Sequence, residues 1–93
     1  MDPAGASVLE RGWQLNPDVS VRPESFGALL YHFGTRRLSF LKDRRLLDVV
    51  NHLGEAPTAR SACARAGIDD ASLPVFARAL TRLAETGMLQ ERP

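Results

Sequence analysis

The sequence predicts an α+β fold, a three-stranded antiparallel sheet followed by three helices in the order βββααα, arranged as a winged helix-turn-helix. Three observations predict it. From Trp13 to Phe40, β-branched and aromatic residues recur in short runs broken by Pro, Gly and Asn, as strands and turns require. From Lys42 onward the apolar period changes from two to about 3.6. The last two helical segments are joined by a short turn containing Gly67, the spacing of a helix-turn-helix.

Trp13 and Leu15 alternate, and Asn16-Pro17-Asp18 offers a turn. Val19 and Val21 resume the alternation with Arg22 pointing the other way, giving a first strand near 19–24 whose limit or free edge is marked by Pro23. Ala28-Leu29-Leu30-Tyr31-His32-Phe33 is apolar on both faces at most positions, as a central strand near 28–33 is when covered on one side and partly on the other. Gly34-Thr35 supplies a turn. Leu38 and Phe40 then alternate with Arg37 and Ser39 in a third strand near 37–41.

Leu46, Val49, Val50 and Leu53 form one face of the first helix, with Asp43 placed to cap it and Gly54 to end it. Thr58 is the N-cap of an Ala-rich second helix that Gly67 stops in a left-handed conformation. Ser72 is a capping residue for the third helix, and Pro74 lies in its first turn. Leu73, Phe76, Ala77, Leu80, Leu83 and Ala84 form its inward stripe, Gly87 closes it, and Met88-Leu89 folds back on the core.

The chain has 93 residues, enough for one domain over residues 12–90 after a disordered N-terminus at 1–11. Twelve Lys and Arg against eleven Asp and Glu give a formal charge of +1, which removes the usual electrostatic argument for a nucleic-acid protein. No apolar stretch approaches the roughly 18 residues that cross a bilayer. Met1 to Ser7 lack the basic start and apolar run of a secretory signal, and the single Cys63 can form no internal disulfide. Both agree with a cytoplasmic protein.

Catalysis finds little support. His32 and His52 stand twenty residues apart with no cysteine at metal-ligand spacing, so both read as structural or surface residues, His32 at a strand end with its polar tip toward water. Cys63 reads as a small buried residue. No phosphate-binding glycine loop or nucleophile with its base can be composed, and no cofactor or metal is expected.

Binding finds more. The third strand of a meander has one neighbour, so its outer edge exposes unpaired N–H and C=O groups to which an extended peptide can add. Arg37, Leu38, Ser39, Phe40 and Leu41 line the strand side of such a site, with apolar pockets beside Leu38 and Phe40. Val75, Arg78, Ala79, Arg82 and Thr86 line the helix side, where the two arginines, four residues apart, pair with acidic ligand side chains. Three alternatives stay open: Arg36 and Arg37 simply protect the edge from aggregation, the third helix enters a DNA groove as in a small regulator, or the chain is an adaptor. Asp69 and Asp70 before that helix and Glu85 within it oppose phosphate.

Val21-Arg22-Pro23-Glu24-Ser25-Phe26-Gly27-Ala28-Leu29-Leu30-Tyr31, followed by Arg37-Leu38-Ser39-Phe40-Leu41, resembles the recognition elements of ribosomally made, post-translationally modified peptide pathways. That group includes the pyrroloquinoline-quinone peptide chaperone, and the resemblance is nearest to its mycofactocin-system branch, over about residues 12 to 90. It implies a non-catalytic protein that binds the leader of a short precursor peptide against the third strand and third helix and presents it to a radical S-adenosylmethionine maturase. Some members form strand-exchanged dimers. Phe26 and Tyr31, within the most specific stretch, are expected to be core aromatics and stand outside the site.

Overall fold

The meander begins at Asn16, whose Oδ1 accepts from the Asp18 amide at 2.9 Å and turns the chain into β2. In the computed structural model, which describes residues 8–93, the strands are β1 (Trp13–Leu15), β2 (Val19–Glu24), β3 (Gly27–His32), β4 (Leu38–Leu41) and β5 (Leu89–Glu91). The helices are α1 (Arg44–Leu53), α2 (Ala59–Arg65) and α3 (Leu73–Glu85). The expected three-stranded antiparallel sheet and three helices are present, the sheet in the order β2-β3-β4. Two strands were not expected. β1 and β5 pair antiparallel with Leu15 opposite Leu89 and Trp13 opposite Glu91, closing the two ends of the domain on each other. Each spans only three residues, too short for alternation such as that of Trp13 and Leu15 to establish a strand by itself.

One face of the sheet and the apolar stripes of the helices enclose a single core. Ala28, Leu30 and Leu41 come from the sheet, and Leu46, Val49, Val50 and Leu53 from α1. Ala59, Ala62 and Cys63 come from α2, and Leu73, Phe76, Ala77, Leu80 and Leu83 from α3, with Met88 and Leu89 folded back as expected. Fully burying one such aliphatic side chain stabilises the fold by about 1.5–3 kcal/mol. The expected disorder through residue 11 extends too far: Val8 and Leu9 are helical and buried at 4% and 6% exposure, and the Trp13 indole donates to the Val8 carbonyl at 2.9 Å. Residues 1–7 lie outside the described residues.

Several local expectations change for physical reasons. His32 does not reach water: its Nδ1 accepts from the Gly34 and Thr35 amides at 3.0 and 3.2 Å, and Asn16 Nδ2 lies 3.3 Å from its Nε2 while donating to the Gly87 carbonyl at 3.1 Å. The ring thus ties the β3–β4 turn to the start of β2 and the end of α3. In the turn that Gly34-Thr35 was expected to supply, the left-handed residue is Arg36, at φ 63°. Ser72 makes no side-chain cap; Asp69 Oδ1 instead accepts from the Ser72 amide at 3.1 Å, and hydrogen bonding by Ser72 lowers the Asp69 pKa. Phe26 and Tyr31 are not core aromatics. Phe26 is exposed and Tyr31 half-buried, because register puts Tyr31 on the sheet face turned away from the helices.

Asp43 caps α1 as expected, accepting from the Arg45 amide at 2.8 Å and from its guanidinium at 3.0 Å. The hydrogen bond from the Arg45 side chain is the main cause that holds the Asp43 pKa below its ordinary value. Asp43→Ala is expected to cost about 1 kcal/mol, read as a fall in thermal midpoint of about 4–8 °C, with Asp43→Asn closer to the wild type because asparagine also caps. A carboxylate with a lowered folded-state pKa adds stability above its unfolded pKa and loses it as pH falls through the folded one. The gap between wild type and Asp43→Ala is therefore expected to be full at pH 7 and to close in acid below the ordinary carboxylate range.

Candidate functional site

The sheet has two outer edges, and its hydrogen-bond phase distinguishes them. The pairs Ala28 with Leu41, Leu29 with Phe40, Leu30 with Ser39 and Tyr31 with Leu38 set the β3–β4 register, and the His32 amide donates to the Arg37 carbonyl at 3.0 Å. Bonded pairs alternate along an antiparallel ladder, so Ser39 and Leu41 bond toward β3 while the N–H and C=O groups of Leu38 and Phe40 point outward. On the other side the Phe33 amide donates to the Asp18 carbonyl at 2.8 Å, which by the same alternation turns Val19, Val21 and Pro23 outward. Pro23 has no N–H to offer, as expected of a strand at a protected edge. β4 is the open one.

Beside β4 runs a groove of about 440 Å³ between the strand and α3. It is lined by Ser39, Phe40 and Leu41 from β4, Arg78, Ala79, Arg82, Leu83 and Thr86 from α3, and Leu46 from α1. Seven of the ten residues expected from sequence thus meet around one groove: Ser39, Phe40, Leu41, Arg78, Ala79, Arg82 and Thr86. Arg37, Leu38 and Val75 do not line it. Arg37 precedes the strand, Val75 is exposed on α3 one turn before Arg78, and Leu38, at the start of β4, is exposed outside the groove lining, whereas Phe40 reaches the groove rim although its side chain shares the face of Leu38. Leu46 and Leu83 carry the floor. Both belong to helical stripes that sequence assigns wholly to the core, and periodicity has no signal for the point where a core stripe meets an opening.

The groove is electropositive. The ion pairs among the described residues join Arg11 to Glu91, Arg22 to Glu24, Arg45 to Asp43 and Arg60 to Glu10, so Arg78 and Arg82 remain unpaired there. Arg36, Arg37 and Lys42 flank β4 and are all exposed. Arg45 makes a second contact, its guanidinium carbon lying 5.2 Å from the centroid of the Phe76 ring, a cation–π contact between α1 and α3.

The site offers main-chain hydrogen bonds, an apolar floor and positive charge, the chemistry of peptide capture. Cys63 is fully buried, and desolvation raises its pKa, which keeps it an inert thiol, as expected. Among the described residues no three His, Cys, Asp or Glu side chains gather as a metal site, and no helix is long and apolar enough to cross a membrane.

Comparison with known proteins decides the family. Residues 12–90 match the model of the peptide chaperone MftB family. The chain belongs to the peptide chaperone MftB family. It is 57% identical over 83 residues to the peptide chaperone MftB of Mycobacterium tuberculosis, covering 89% of this chain and 76% of that protein. The MftB of Mycobacterium ulcerans is 56% identical over 86 residues, covering 92% and 79% respectively. That of Mycolicibacterium smegmatis is 53% identical over 77 residues, covering 83% and 76%. No solved structure matches. The role named for the MftB relatives is non-catalytic, and the groove is accordingly described as a binding site.

Proposed function

We propose that this chain binds the leader segment of a short ribosomally made precursor, the mycofactocin precursor, as a strand added to β4, and presents it to a radical S-adenosylmethionine maturase in the cytoplasm. The observation that carries this is the open β4 edge running beside two arginines on α3 that have no ion-pair partner among the described residues. Backbone bonds to Leu38 and Phe40 supply affinity that any extended segment could claim, and the groove supplies selection. Arg78 and Arg82 favour a ligand carrying carboxylates, and the exposed α3 face beside the sheet supports the reading of a winged helix adapted to protein instead of DNA. The ionised Asp69 beside the start of α3 disfavours a phosphate backbone at that end.

The test is a calorimetric titration of the protein with a synthetic leader from the short peptide encoded beside its gene, with a DNA duplex as control. Saturable one-to-one binding of the leader, and none of the duplex, is the expected result. Binding of the duplex alone, falling steeply with salt as phosphate neutralisation requires, would establish the regulator reading instead.

A further inference from the structure

We infer that the peptide added to β4 is read on both of its faces, so that the ligand is an extended segment with apolar side chains at alternate positions and carboxylates between them. The inference rests on the proposed strand addition and concerns the sheet face opposite the groove. Register lays two rows across that face, Arg22 beside Leu29 beside Phe40, and Ser20 beside Tyr31 beside Leu38. Each row is polar at its β2 end, where Arg22 is engaged by Glu24 at 2.9 Å, and apolar at its β4 end. Leu38 and Phe40 are 55% and 57% exposed, and Phe26 packs on Phe40 with ring centroids 6.3 Å apart. Large apolar side chains gathered in this way mark a contact surface, and these gather at the one open edge.

The phase of the ladder states what covers them. Residues directly opposite on neighbouring strands share a face, with Cβ atoms about 4.5–5.5 Å apart. Ligand residues aligned with Leu38 and Phe40 therefore extend the two apolar rows, and those aligned with Ser39 and Leu41 turn into the groove toward Arg78 and Arg82. Charge complementarity selects the occupant. A second copy of this chain pairing through β4 brings Arg36, Arg37 and Lys42 of both copies together, and the neighbouring acid Asp43 is already held by Arg45, whereas a peptide with alternate carboxylates neutralises them.

The experiment titrates wild type and the Leu38→Ser, Phe40→Ser double variant with the synthetic leader and with leaders in which single apolar or acidic residues are replaced by alanine. Both protein changes are at exposed positions outside the core and leave the fold intact, which circular dichroism checks. The expected result is about a tenfold weaker complex for the double variant, with alanine at apolar leader positions two apart weakening the wild type but not the variant, the coupling of residues in contact. Wild-type binding with an undiminished double variant overturns the two-faced reading and leaves strand addition standing; a leader that fails to bind wild type overturns both. Sedimentation of the free protein closes the remaining case, since a dimer abolished by Phe40→Ser would assign the face to a second copy.

Discussion

Arg78→Glu combined with Arg82→Glu is expected to weaken leader binding by roughly 100-fold, because each reversal both removes a charge-assisted hydrogen bond and adds a repulsion, and a factor of ten corresponds to about 1.4 kcal/mol. Thermal unfolding is expected to stay at the wild-type midpoint, since both side chains are exposed and neither has an acidic partner among the described residues. The wild-type affinity is also expected to fall as salt rises, as it does for any partly exposed charge pairing, while in the double variant, where salt screens the added repulsion, that dependence is expected to weaken or reverse. Titration calorimetry at low and moderate salt measures both. An unchanged affinity in the folded variant removes the arginines from the site.

Gly27→Ala is expected to produce the largest loss of stability of any single methyl added to this chain. Gly27 adopts φ +149°, and a Cβ there would stand 1.9 Å from the Leu41 carbonyl oxygen, with the Asp43 amide nitrogen at 3.1 Å. Those neighbours are backbone and cannot rotate aside, so β3 and β4 must separate. A cost of at least about 3 kcal/mol is expected, a large share of the 5–15 kcal/mol available to a domain, with a fall in thermal midpoint of more than about 12 °C. Gly54 is the control, with φ −67° and nothing within 4 Å of an added Cβ, and Gly54→Ala is expected to be neutral or slightly stabilising. Thermal melts of the two variants side by side decide the matter. Equal midpoints would contradict the close approach.

The same residue shows why part of this molecule is legible in its sequence. The Arg22 to Gly27 stretch carries the family resemblance, and its physical content is a hairpin whose glycine lets the β4 backbone pass, with Pro23 blocking the opposite edge. Helix stripes and caps such as Asp43 and Thr58 are local, so spacing alone reveals them. What sequence could not supply is long-range or a matter of phase. β1 finds its partner at the far end of the chain, and the buried His32 is satisfied by groups brought from two turns, the β3–β4 turn and Asn16 before β2. The site follows the same rule: α3 phase emerges with both Arg78 and Ala79 facing the groove. The alternation of β4 is legible in the sequence, but which of its two faces meets the helices is set only by pairing with β3, which sends the Leu38 and Phe40 side chains to the face away from them.

Strand addition to β4 is tested most directly by residue-resolved amide hydrogen exchange, followed by NMR with and without the synthetic leader. The Leu38 and Phe40 amides, which point outward, are expected to exchange fast in the free protein and to slow by at least about tenfold when the leader is bound, with Ser39 and Leu41 protected in both states and Val19 and Val21 on the opposite edge unchanged. Leader binding that leaves Leu38 and Phe40 exchanging as fast as before, or that protects the β2 edge instead, would contradict it.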